Sequence, residues 1–357
     1  MTEVNYDEAE KAGCGEGGSR SPSVATESDQ NSVTQYGLMF DAETKAHQLT
    51  KVDWSKRWQR ENKQKDQAIL GSPFQNVQQH GLSQHLNITP EDLQHRIWRL
   101  AMNDALAWAP LHDTELLNVL DIGTGTGAWA IDFAESHPEA QIFGVDTRQI
   151  QPVYVPPNCH FLRENSEKDW SFKLRFDYIH LRMMATCFSS YEDMVKKVFT
   201  HLRPGGWVEY QEFCMETTSD DKHTQHVLRN DPASPQGLLN RLKEGFSMLG
   251  RDIDVTNRTK DWLLAAGFVD VVEKKFSVPI TPWSSDPKER EIGRLQVQNW
   301  YVAVESAVNT VYAALQPEEQ EAYIVACQEN LKAKDLKIYH TCSVIYGRKP
   351  HLSEVKS

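Results

Sequence analysis

No two cysteines stand at CxxC spacing in this sequence. The six present, Cys14, Cys159, Cys187, Cys214, Cys327 and Cys342, are scattered, with no histidine cluster beside them. This excludes a zinc ribbon or a dense disulfide framework and predicts reduced thiols and no metal site. No apolar run approaches the roughly 20 residues that cross a bilayer. The N-terminus is acidic and polar, without the basic and apolar regions of a secretory signal. These absences predict no membrane partner and a cytoplasmic or nuclear location. Positive charge is also short: 38 Lys and Arg against 50 Asp and Glu leave a net charge of -12. A general nucleic-acid binder would carry the opposite balance. The one basic stretch, Lys51, Lys56, Arg57, Arg60, Lys63 and Lys65, reads as a solvated helix face. There is no GxSxG elbow, no HExxH pair and no EF-hand loop, and no internal repeat.

At 357 residues the chain can form one large α/β domain with additions. Residues 1–34 are rich in Gly, Ser and acids and read as a disordered tail, because they bury too little apolar surface to offset ordering entropy. Residues 35–88 form a polar arm with aromatic anchors Phe40, Trp54 and Trp58. A helix starts at Thr89-Pro90, with threonine as cap and proline at the first helical position. Ile97, Leu100, Ala101, Ala105 and Trp108 continue it at helical spacing, and Pro110 stops it.

Strands then alternate with helices. Strands are predicted at residues 117–122, 141–145, 159–162, 176–181 and 207–213, with helices at 129–136 and 191–202, the second stopped by Arg203-Pro204-Gly205-Gly206. This alternation predicts a mostly parallel sheet. Residues 89–216 are read as its core, and residues 217–350 as its completion. Within the latter, 220–236 reads as loop or cover, 238–249 and 259–266 as helix, 268–278 as strand, 288–334 as a helical cover and 338–346 as the closing strand. The predicted fold is a Rossmann-like, doubly wound, seven-stranded mostly parallel sheet with a helical cover.

The densest signal is NVLDIGTGTGAW at residues 118–129, a buried strand feeding Gly123, Thr124, Gly125 and Gly127 and then a helix. Glycines there let a cofactor approach the backbone closely. A nicotinamide fingerprint would be GxGxxG with a pyrophosphate on the helix start. Here position 128 is alanine, the glycines fall at GxGxG, and an acid, Asp121, precedes them. A carboxylate at that place repels pyrophosphate and suits an ammonium, so the loop fits S-adenosylmethionine. Asp146, ending the next strand 23 positions after Gly123, stands where an acid binds ribose hydroxyls.

These residues resemble the class I S-adenosylmethionine-dependent methyltransferases. More narrowly, DLQH at 92–95, DIGTGTGAWAIDFA at 121–134, HLRPGGWVEYQE at 201–212, Trp283, Glu291-Ile292-Gly293 and YGRKP at 346–350 look like the fungal LaeA-like group associated with secondary metabolism. The resemblance covers about residues 90–350. It implies that Asp121, Gly123, Gly125 and Gly127 hold the methionyl part, Asp146 the ribose, and the turn 164–167 the adenine. There the usual acid is replaced by Asn165, whose carboxamide oxygen can accept the same hydrogen bond; Glu164 is the alternative. Trp170 packs either on the adenine or in the core.

At the end of the fourth strand, DYIHLRMM at 177–184 brings His180, Arg182 and Met183 toward the crevice. His180 is a candidate base for a phenol or alcohol acceptor, or a satisfied structural histidine. Arg182 pairs with an acidic substrate, or with Glu212 or Asp177. Glu209 and Glu212 also fall within reach. The Asn-Pro-Pro-Tyr signature of base and amide methylation is missing after this strand, which argues against nucleic-acid substrates. Two functions remain: methylation of a small molecule at O, N or S, and a nuclear regulator that acts through protein partners. Against a third reading, a degenerate non-catalytic fold, stands the intact Asp121–Gly127 loop.

Overall fold

The computed structural model describes residues 89–354 apart from 249, 312–316 and 334. The predicted tail, the arm and its tryptophans lie outside the described residues. Helix α1 (Pro90–Ala101) begins as its sequence predicts: the Thr89 hydroxyl accepts from the Asp92 N–H at 3.1 Å, with proline in the first turn. It ends earlier than predicted. Asn103 and Asp104 take positive φ, 56° and 62°, a conformation that short polar side chains tolerate and that breaks helical spacing. Ala105 and Trp108 are therefore not helical.

The chain then runs through β1 (Asn118–Ile122), α2 (Ala128–Ser136), β2 (Gln141–Asp146), β3 (Cys159–Arg163), β4 (Phe176–Arg182), α3 (Tyr191–His201) and β5 (Leu202–Thr218). After β5 come α4 (Lys222–Asn230), α5 (Pro235–Met248), α6 (Thr256–Ala266), β6 (Val269–Pro279), α7 (Pro287–Val311), α8 (Pro317–Lys332) and β7 (Tyr339–Arg348). The sheet order is β3-β2-β1-β4-β5-β7-β6, with β7 antiparallel to both neighbours and the other pairs parallel. Central β1 and β4 are buried almost throughout, whereas edge strand β6 alternates, as coverage on both faces requires at the centre.

Two segments differ from the sequence reading. The Arg203–Gly206 stretch does not separate α3 from β5 as a loop. It bulges from β5 itself, so that Phe176 pairs with Leu202 but Tyr178 with Trp207. Residues 222–230, read as loop or cover, are helix α4. Its start is fixed by Asp221, whose carboxylate accepts from both the N–H and the hydroxyl of Thr224 at 2.7 and 2.8 Å. The helix buries only Thr224 and Leu228, too narrow a stripe to show as periodicity.

One apolar cluster fills the sheet face under α1 and α2, a second the face under α3 and α6, and a third lies under α4, α5, α7 and α8. The order of strands reverses between β1 and β4. Their carboxyl ends therefore splay apart and leave a crevice there.

Candidate active site

The crevice holds a cavity of about 250 Å³ lined by α1, the loop after β1, and the ends of β2, β3 and β4. It gathers every residue that sequence reading assigned to the cofactor except Gly127, which lies at the loop's far end. Among the described residues, none of α7 or α8 is part of its walls. The helical cover predicted from 288–334 packs instead against α1, β6 and α5, and α1 itself closes the cavity.

The loop glycines have positive φ: 73° at Gly123, 57° at Gly125 and 83° at Gly127. A Cβ on Gly123 would lie 2.1 Å from the Met184 Sδ, and one on Gly127 2.2 Å from Phe161. A side chain at either position would strain the left-handed backbone and push aside the end of Met184 or the Phe161 ring, before any ligand is considered.

Asp121 is buried at the end of β1. One oxygen accepts from the Thr124 hydroxyl at 2.6 Å and the other from His180 Nδ1 at 2.7 Å. The His180 ring is fully buried and stacks on Trp129, with centroids 3.7 Å apart and planes 6° apart. Burial lowers its pKa against the opposing pull of Asp121, so the ring is neutral and donates through Nδ1. Through Nδ1 it orients Asp121, as the structural reading of this histidine expects, while Nε2 is buried and has no hydrogen-bond partner among the described residues.

Asp146 is held similarly, accepting from the N–H of Gly125 at 2.9 Å and of Arg148 at 2.8 Å. Each carboxylate oxygen has about two lone pairs, so both acids keep acceptor capacity toward the cavity. Arg148 also reaches across the mouth to Glu91 on α1 at 2.6 Å, and Thr126 donates to Asp92 at 2.8 Å. The first turn of α1 is thereby pinned over the loop.

Arg182 joins neither Glu212 nor Asp177. Its Nε donates to Gln211 at 2.9 Å and its Nη1 to His95 Nδ1 at 3.0 Å. His95 passes the contact on, donating through Nε2 to Asp132 at 2.9 Å. Burial lowers the pKa of His95, opposed by Asp132, which keeps it neutral and able to accept from Arg182. Burial also brings Arg182 down to about 10, which leaves it charged. Asp177 instead accepts from the N–H groups of Leu117 and Asn118 and pairs with Arg203.

Glu209 and Glu212 do not reach the cavity. Glu209 accepts from the N–H groups of Trp108 and Ala109, anchoring that loop to β5. Glu212 accepts from Met184 N–H at 2.7 Å and Tyr191 hydroxyl at 3.0 Å, and burial pushes it up to about 7. On the adenine side, the Asn165 oxygen already accepts from Glu167 N–H at 2.9 Å, and Glu164 accepts from Ser171 N–H at 3.0 Å. Trp170 is a core residue: it donates to Ser166, packs on His201 and lies outside the lining.

Sequence reading missed Glu91, His95, Arg148 and Cys187 as lining residues. Glu91 and His95 are four apart on one helix and so share a face, a signal that was present. Met183, at φ 58°, is the one cavity residue that is held in αL without being glycine, a conformation costing on the order of 1–3 kcal/mol. Cys187 is no nucleophile, since burial raises its thiol to about 12. Among the described residues, no three His, Cys, Asp or Glu side chains cluster as metal ligands.

A reversed strand order with two buried acids around a glycine loop at the switch point defines a Rossmann-like, S-adenosylmethionine-dependent methyltransferase. The chain belongs to the methyltransferase domain family, whose model matches residues 88–271. It is 31% identical over 268 residues to methyltransferase pytC of Aspergillus terreus, covering 73% of this chain and 80% of that one. It is 35% identical over 219 residues to the secondary metabolism regulator LAE1 of Cochliobolus heterostrophus, covering 59% and 67%. It is also 30% identical over 272 residues to the protein-methionine methyltransferase laeA of Emericella nidulans, covering 72% and 69%.

Proposed function

We propose that the cavity holds S-adenosylmethionine and that the chain transfers its methyl group to a small-molecule acceptor at O, N or S in fungal secondary metabolism. The observation that carries the cofactor assignment is the pair of buried carboxylates, Asp121 and Asp146, flanking the glycine loop with lone pairs left over. Asp121 would meet the ammonium and Asp146 the ribose hydroxyls. Glu164 and Asn165 would border the adenine through the acceptor capacity that their turn contacts leave.

Bound S-adenosylmethionine supplies an electrophilic methyl group on a sulfonium. The protein's part is alignment and exclusion of water. Thr124 and His180 fix the Asp121 carboxylate from two sides, and the Glu91–Arg148 pair keeps α1 over the cavity. A thiolate or a neutral amine needs no base. A phenol or alcohol would give its proton to solvent or to His180 Nε2, which is buried and has no hydrogen-bond partner among the described residues.

The second reading is a regulator acting through protein partners, and the similarity to LAE1 supports it. A cytoplasmic or nuclear location belongs to the same proposal. Incubation of the protein with methyl-labelled S-adenosylmethionine and a fractionated fungal extract separates the two readings. Label in the low-molecular-weight fraction is expected. Label in the protein fraction alone would favour the second reading, and none in either would count against catalysis.

A further inference from the structure

Arg182 carries a charge that Asp121, Glu209 and Asp132 stabilise from a distance but that no described carboxylate contacts directly. Its Nε and Nη1 are spent on neutral partners, Gln211 and His95, and among the described residues it forms no ion pair. The guanidinium also lies 5.8 Å from the Trp98 ring centre, which steadies it without neutralising it. Its remaining terminal nitrogen, Nη2, has no hydrogen-bond partner among the described residues, and the side chain lines the cavity. A sheltered guanidinium without a hydrogen-bonded anion is costly, and its planar fork matches a carboxylate.

Placement decides which carboxylate. Asp121 is the register partner of His180 across β1 and β4. Arg182 follows His180 by two residues, so the two project from the same face of β4. The cavity therefore presents an acid, Asp121, and a base, Arg182, at one end. That pairing is complementary to an α-amino acid zwitterion. We propose that Arg182 binds the carboxylate of the cofactor's amino-acid end while Asp121 faces its ammonium, with His95 and Gln211 as positioning residues that set the guanidinium. This rests on the cofactor assignment made above.

An acceptor's carboxylate is the other source of the same chemistry, so the test contains no acceptor. Calorimetry would compare S-adenosylmethionine with decarboxylated S-adenosylmethionine, which keeps the ammonium and lacks the carboxylate, on the wild type and on Arg182→Met. The wild type is expected to prefer the carboxylate-bearing ligand by roughly ten- to hundredfold, the range for a hydrogen bond to a charged group. Arg182→Met is expected to bind both ligands with affinities within about threefold of each other, the decarboxylated one as tightly as the wild type does. Equal affinity of the wild type for the two ligands would overturn the inference, and this arm needs no variant that folds. A preference that survives Arg182→Met would overturn it as well. In either case the cofactor assignment stands, because both ligands have bound. Failure of the wild type to bind either one would remove that assignment and the inference with it.

Discussion

Gly127 shows how little freedom single positions have here. At φ 83° with Phe161 against its α-carbon, a side chain would meet both backbone strain and a ring. Gly250 has a similar φ, 72°, but nothing within 4 Å. Gly250→Ala should therefore lose only the left-handed penalty, about 1–2 kcal/mol. Gly127→Ala should lose about 1–3 kcal/mol more, because the half-buried Phe161 ring must shift. Urea denaturation of the two variants measures the difference, and equal losses would mean that Phe161 yields freely. At this scale Asp121, the glycines and Asp146 were legible, because acid, glycine and strand end are adjacent in sequence. The partner of His180 was not: Asp121 is 59 residues away and meets it only through β1–β4 register. Arg182 was hidden similarly, since His95 and Gln211 reach it from α1 and β5.

Among the elements, α1 and the β4–α3 connection govern the cavity. The Glu91–Arg148 pair is part-exposed on both sides, so it is worth at most about 1 kcal/mol. Glu91→Ala should let S-adenosylhomocysteine dissociate a few-fold faster with its association rate nearly unchanged. Stopped-flow displacement would read this, and an unchanged off-rate would show that α1 does not restrain the ligand. Glu212 holds the connection through Met184 and Tyr191, and burial raises its pKa from 4.5 to about 7. Its folded pKa thus exceeds its unfolded value. Its contribution to stability is full below about 4.5 and is lost as pH rises through about 7. Glu212→Gln removes that dependence. The stability of the wild type relative to the variant should fall between pH 4.5 and 7.5, as chemical denaturation at several pH values would show. A constant difference would mean that Glu212 does not titrate in this window. The early stop of α1 and the presence of α4 escaped sequence reading for one reason. Both are set by single side-chain conformations, at Asn103-Asp104 and Asp221, rather than by apolar period.

For the whole molecule, the order of strands and helices sufficed to predict seven strands in a mostly parallel sheet, but not that β7 runs antiparallel to β5 and β6. Central strands bury both faces and so read as continuous apolar runs. The placement of α7 and α8 behind α1 did not follow, because an amphipathic helix states which face is buried and not against what. The central claim is that this fold presents a cofactor cavity anchored by Asp146 at the end of β2. Calorimetric titration with S-adenosylhomocysteine, on the wild type and on Asp146→Ala, tests it most directly. Micromolar binding to the wild type, weakened at least tenfold in a variant that keeps its circular dichroism, is the predicted result. Binding that is indifferent to the substitution, or absent from the wild type, would contradict the account.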